Sequence, residues 1–147
     1  MLVRHQTQAY FDENMSMKHH VGIQCKRAYS QLYKISKIRK YLDHKSAETI
    51  IHALVHTHLN YCNSLLFGLP KYLIKKLQMV QNTAARVLCQ LRKFDHISDT
   101  LTQLHWLPVE YRIEYKIGIL TFNALHDNGP RYIADIFFRK AHHSCPQ

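Results

Sequence analysis

The sequence predicts an all-α protein, an irregular bundle of five to six helices, and three observations predict it. Apolar residues recur at intervals of three and four through most of the chain, alternating strand patterns are nearly absent, and only four Gly and four Pro punctuate 147 residues. With 46% hydrophobic residues the chain can build one ordinary core. A single helical domain is expected over residues 18–138, after an N-terminal segment (1–17) of poor expected order and before a polar tail (139–147).

The first helix is expected from about Lys18 to Leu42, with Val21, Cys25, Ala28, Leu32, Ile35 and Ile38 on one face and Lys26, Arg27, Lys34 and Lys37 opposite. Asp43 to Lys45 interrupts the pattern. Ser46 is expected to cap the second helix, with Glu48 in its positive first turn. Its stripe runs through Ala47, Ile50, Ile51, Leu54, Leu59, Cys62 and Leu65 and stops at Gly68-Leu-Pro70, where a glycine can end a helix and a proline cannot continue one. A third helix, about Lys71 to Leu91, buries Leu73, Leu77, Val80, Ala84, Val87, Leu88 and Leu91. At about 100° per residue it gathers Lys71, Lys75, Asn82 and Arg86 on the other side. Asp95 or Ser98 is expected to cap a short fourth helix carrying Leu101 and Leu104, and Pro108 suits the first turn of a fifth.

That fifth helix is two-faced. Ile113, Ile117, Leu120 and Ala124 form one stripe, and Tyr111, Tyr115 and Phe122 form another on the opposite side. Either it is central in its own bundle or the aromatic face meets another protein surface. Asn128-Gly-Pro130 ends it, and Arg131 to Phe138 supplies a last apolar turn.

Lys and Arg number 20 against 10 Asp and Glu, a formal charge of +10 with a pI near 9.6. That excess calls for a polyanionic partner, and RNA or DNA backbone is preferred to an acidic protein or an anionic lipid surface. Cys25, Cys62, Cys89 and Cys145 are dispersed without a CxxC pair, as expected of reduced thiols. No export signal and no run of about 18 apolar residues is present, so the chain is expected to stay inside the cell, in nucleus or cytoplasm, without a membrane partner.

An ordered set of short motifs carries a family resemblance. It comprises Tyr10-Phe-Asp12, Met15-Ser-Met17, His20-Val21, Leu59-Asn-Tyr-Cys62-Asn-Ser-Leu65, Gly68-Leu-Pro70, Leu77-Gln-Met-Val-Gln-Asn82, Ala84-Ala-Arg86-Val-Leu88, Leu104-His-Trp-Leu-Pro-Val109, Arg112-Ile-Glu-Tyr-Lys116 and Asn128-Gly-Pro130. From about Tyr10 to Phe138 the chain resembles the stretch downstream of the polymerase palm in LINE-type non-LTR retrotransposon reverse transcriptases, the jockey group among them. The resemblance implies a helical, thumb-like segment that lies against template and primer. Polymerization in that family needs palm carboxylates that hold two divalent ions. The sequence contains no Tyr-x-Asp-Asp and its acids are scattered. A catalytically incomplete piece of such an enzyme is therefore expected, with no catalytic residue, metal or cofactor assigned. Asp12 matches a position beyond the palm and inherits no role.

The candidate phosphate-contacting residues are Lys71, Lys75, Arg86 and Lys93, joined by Lys26, Lys34, Lys37 and Lys40. Exposed charge is also the ordinary dress of a helix, and the net charge lifts this stripe above that background. Tyr29 and Tyr33 sit at the edge of the first helix's basic face, where they either stack on bases or, as expected, pack at the core or its rim. Tyr111, Tyr115 and Phe122 are the candidate interface for self-association or a host protein. His52, His56, His58 and Cys62 have partial metal-ligand spacing, but His52 and His56 are expected on the polar side and His58 and Cys62 on the apolar one. Trp106 is expected in the core.

Overall fold

In the computed structural model the described residues are 17–92, 94–126, 128–130 and 132. The expectations for residues 1–16, the polar tail and Lys93 fall outside them, as does all of the apolar turn after residue 130 except Tyr132. Among the described residues the architecture is all-α, without strands: α1 (Lys18–Ile38), α2 (His44–Ile51), α3 (Thr57–Asn60), α4 (Lys71–Cys89), α5 (Ser98–Gln103) and α6 (Val109–Leu125). A π turn, His52–His56, joins α2 to α3 as one rod. Short 3-10 turns, Arg39–Tyr41 and Asn63–Leu66, follow α1 and α3. No helix here is long and apolar enough to cross a membrane.

The core forms where α1 packs along α4, with the α2–α3 rod against both. Val21, Ala28, Leu32 and Ile35 from α1 meet in one cluster with Leu73, Leu77, Val80, Ala84 and Leu88 from α4 and with Ala47, Ile51, Val55 and Leu59 from the rod. These are the expected stripes with local corrections. On α1 the buried face is rotated toward His20 and Gln24, leaving Cys25 half-buried and Ile38 exposed. Val87 near the end of α4 and Leu91, two residues beyond it, are only partly buried.

The caps differ from expectation in two places. Asp43, not Ser46, caps α2: its carboxylate accepts the Ser46 backbone N–H at 3.0 Å, and hydrogen bonding from the Ser46 side chain, then from its backbone, holds the Asp43 pKa below the usual carboxylate value. Neither Asp95 nor Ser98 caps α5, because Asp95 turns back to accept the Arg92 N–H at 2.7 Å and Ile97 occupies the cap position. The rod also ends earlier than the apolar pattern suggests. Cys62 adopts a left-handed φ of 51°, so Leu66 turns inward and Leu65 outward.

The ends of α1 and α4 are tied by Arg39. Its Nε and Nη2 donate to the Leu88 carbonyl at 3.0 and 2.7 Å, and Nη1 donates to the Leu42 carbonyl at 2.8 Å. Only 9% of Arg39 is exposed. Leu88 lies in the last turn of α4, where carbonyls have no helical partner and the helix dipole favours a cation. Arg39→Ala is expected to cost about 2–3 kcal/mol, because it leaves buried acceptors without a charged donor. Arg39→Lys should recover only part of that loss, since an ammonium cannot reproduce the fork. Urea unfolding of the two variants checks both values.

Candidate nucleic-acid interface

The candidate residues of α4 lie on the side that faces away from the α1–α4 seam. Lys71, Lys75 and Asn82 share that side, as their spacing predicts; the two lysines are exposed and Asn82 is half-buried. Across from them, the α5–α6 connection and the start of α6 are held against α4 by two amide side chains. Gln81 Nε2 donates to the Leu107 carbonyl at 3.0 Å, and Gln78 Oε1 accepts the Val109 N–H at 2.8 Å, satisfying the first orphan donor of α6. Pro108 precedes Val109 as the cap residue and Arg112 Nε donates to the Leu107 carbonyl at 2.7 Å. Arg112 Nη1 also reaches Asn60 Oδ1 at 3.2 Å, and burial lowers the pKa of this guanidinium.

The turn between α5 and α6 completes the opposite wall. His105 takes a left-handed φ of 54°, which directs its own N–H to the Thr102 carbonyl (3.0 Å) and the Trp106 N–H to the Leu101 carbonyl (2.8 Å). This double reverse bond closes the C-terminus of α5 and sends Trp106 into the core, as expected for that residue. Between the walls lies a groove of about 840 Å³. Lys71 and Lys75 line one side, Leu107, Pro108 and Tyr111 the other, with Ile74 and Leu101 contributing apolar surface.

The structure distributes the remaining candidates over other surfaces. Arg86 is half-buried and donates to the Asp95 carbonyl at 3.3 Å, which ties the α4–α5 connection. It lines a shallower cleft of about 360 Å³ together with Lys40 and Arg39. Lys26, Lys34 and Lys37 are exposed on α1 and Lys40 on the turn after it. Tyr29 and Tyr33 are exposed rather than packed, and Lys37 lies 5.0 Å from the Tyr33 ring centre. A similar cation–aromatic pair joins Lys40 to Tyr41 at 4.7 Å. Tyr111, Tyr115 and Phe122 are exposed by 56%, 65% and 56%, so α6 is peripheral rather than central. Leu120, expected on its inner stripe, is partly exposed as well.

Beside the groove the π turn overturns one expectation. The extra residue in that turn rotates His56 out of the polar side and into the core, where it is 2% exposed against Trp106, with ring centres 4.3 Å apart. His52 remains exposed, and its Nδ1 lies 2.8 Å from Nδ1 of His56, so one ring donates to the other. His58 is buried on the same rod. No group of three His, Cys, Asp or Glu side chains converges on a metal position among the described residues. Cys25, Cys62 and Cys89 are free thiols; burial raises the pKa of Cys25 and Cys89.

The residues missed by sequence reasoning are the neutral ones. Gln78 and Gln81 carry no charge signal, and their positions on α4 match two walls that only the folded chain brings together. Family models, curated proteins and solved structures provide no match to the chain.

His56 makes the fold sensitive to acid. Burial first, then the Arg112 and His52 charges, lowers its pKa from 6.5 to about 3. Below pH 6.5 the unfolded chain gains a proton at this ring that the folded chain refuses, so stability falls as pH drops toward 3. The expected loss from this group is about 2 kcal/mol between pH 7 and pH 5. His20, whose pKa burial and the Arg27 charge also lower, adds in the same direction. Urea unfolding at the two pH values should show the loss, and His56→Phe should reduce it markedly.

Proposed function

We propose that this chain is a helical nucleic-acid-binding segment, similar to the region downstream of the palm in LINE-type reverse transcriptases. It holds RNA or DNA through the phosphate backbone, independently of sequence, and has no polymerase or nuclease chemistry of its own. The observation that carries this reading is electrostatic. Neither α1 nor α4 contains an acidic residue, the two helices pack together, and their outer sides display Lys26, Lys34, Lys37, Lys71 and Lys75. Lysines spread over two rigid helices can follow a phosphate chain as point charges, and they supply no base-specific geometry. The exposed lysines of α4 also border a groove with apolar surface, where a strand can lie.

Added salt should weaken binding along a straight log–log line, because each phosphate contact releases counterions. Lys71→Glu and Lys75→Glu should each weaken binding to every sequence tested, and the corresponding neutral changes should lower the salt slope by about 1 each. Fluorescence anisotropy of labelled single-stranded RNA and duplex DNA at several salt concentrations measures both effects. Salt-insensitive binding would count against the backbone mechanism.

A second reading, association of the chain with itself, is favoured by one feature. Tyr115, Phe122 and Leu125 lie on one side of α6 and all are exposed, an apolar strip of the kind that marks contact surfaces. Light scattering of nucleic-acid-free protein should then show concentration-dependent dimers that Tyr115→Ser with Phe122→Ser abolishes. A monomer indifferent to those changes removes this reading.

A further inference from the structure

We propose that the groove between α4 and the α5–α6 turn is a seat for unpaired nucleobases, so that the chain selects single-stranded over duplex nucleic acid. This rests on the nucleic-acid-binding reading and assigns it a site.

The volume, about 840 Å³, is that of a ligand site rather than of a packing defect. Its two walls differ in chemistry. The α4 wall presents the exposed ammonium groups of Lys71 and Lys75. The opposite wall is largely apolar, with Leu107, Pro108 and the half-exposed ring of Tyr111, and it carries the carboxylate of Glu110. A strand lying in the groove is thereby oriented: phosphates are drawn to the α4 wall and repelled from Glu110, while bases turn toward the apolar wall and Tyr111. A base within a duplex has both faces covered by its neighbours. Only an unpaired base can offer a face to the ring.

The amide network adds a donor inside the groove, and its orientation is forced. The Val109 backbone N–H can only donate, so Gln78 must receive it with Oε1. Gln78 Nε2 must then be the donor to Asn82, at 2.8 Å, and Asn82 must receive it with Oδ1. The Nδ2 protons of Asn82 are left over, on a side chain that lines the groove two turns along α4 from Lys75. They suit the carbonyl oxygens that every base except adenine carries, or a phosphate oxygen. Neither partner demands a particular sequence.

The test is an anisotropy titration of the full chain at low salt with three probes: a short single-stranded oligothymidylate, an abasic oligomer of equal length and charge, and a duplex of equal length. The intact single strand should bind about tenfold more tightly than the abasic one, the usual scale of one base stacked on an aromatic ring. The duplex should also bind more weakly than the intact strand. Tyr111→Ala should erase the advantage of the intact strand over the abasic one, Tyr111→Phe should keep it, and Tyr115→Ala should leave it unchanged. Glu110→Gln should tighten binding of all three probes. A thermal melt of each variant confirms that it is folded. Equal, salt-sensitive binding of intact and abasic strands would overturn the base seat and leave the backbone reading standing. No binding of any probe would overturn both. Polyglutamate displacing the intact strand as well as an oligonucleotide of equal charge would put an acidic polypeptide in the groove instead.

Discussion

Parallel helices bring their negative ends together, and Arg39 is the residue that makes this arrangement tolerable. That α1 and α4 run in the same direction follows from two contacts: Lys76 near the start of α4 acts on Cys25 in the first half of α1, and Arg39 just after α1 grips Leu88 at the end of α4. Two C-termini side by side expose carbonyls whose dipoles repel. One buried guanidinium answers both needs, since it supplies charge of the right sign and donors in a fork that two carbonyls can share. The α2–α3 rod makes the crossover that a parallel pair requires and covers the seam. Small side chains on the seam, Ala28, Ala84 and Ala85, are fully buried. Close approach of α1 and α4 leaves their lysines only the outer sides to occupy, so the packing of the core concentrates the positive charge.

The larger divisions of this fold are legible in the sequence because they depend on local chemistry. Pro108 sits immediately before α6, Gly68 takes a left-handed φ of 76° at the end of the loop before α4, and the α4 stripe repeats with little drift. Features that depend on one residue out of step are not legible. The π turn is one extra residue in a rod whose apolar spacing reads as one helix through Leu65, and it carries His56 into the core while His52 stays exposed. Cys62 and His105 are left-handed without being glycine, so the chain turns where composition gives no sign. Arg39 reads as one more cation in a basic stretch. Its burial depends on a carbonyl 49 residues away.

The candidate site was legible on one wall only. Lys71 and Lys75 were visible as charge on the free side of a helix, and the structure leaves them there. The same stripe was expected to include Arg86 as an equal member, whereas the fold draws that guanidinium toward the Asp95 carbonyl and the second cleft. Arg and Lys part company here for a physical reason. A planar fork finds backbone acceptors near a helix end, whereas a single ammonium on a flexible stem stays in water. Tyr111 was grouped with Tyr115 and Phe122 by helical spacing. The groove separates it from them, since Tyr111 lies in the wall facing Lys71 while the other two do not line it.

Neutral amides are what keep the charged wall available. The α5–α6 turn needs a donor for the Leu107 carbonyl and an acceptor for the Val109 N–H, and a lysine or glutamate on α4 could supply each. A lysine used that way would keep its charge but be tied to a carbonyl and drawn away from the solvent-facing side. A glutamate would neutralize its neighbours and repel a polyanion. Gln81 and Gln78 meet the two demands without altering the field, and they stand one turn from each other on the stretch of α4 that follows Lys75. Structural hydrogen bonding and surface charge are thus carried by different side chains on one helix. Lys71 and Lys75 keep solvent-facing charge beside an apolar wall, the pairing of point charge with exposed ring and apolar surface on which the proposed base seat rests.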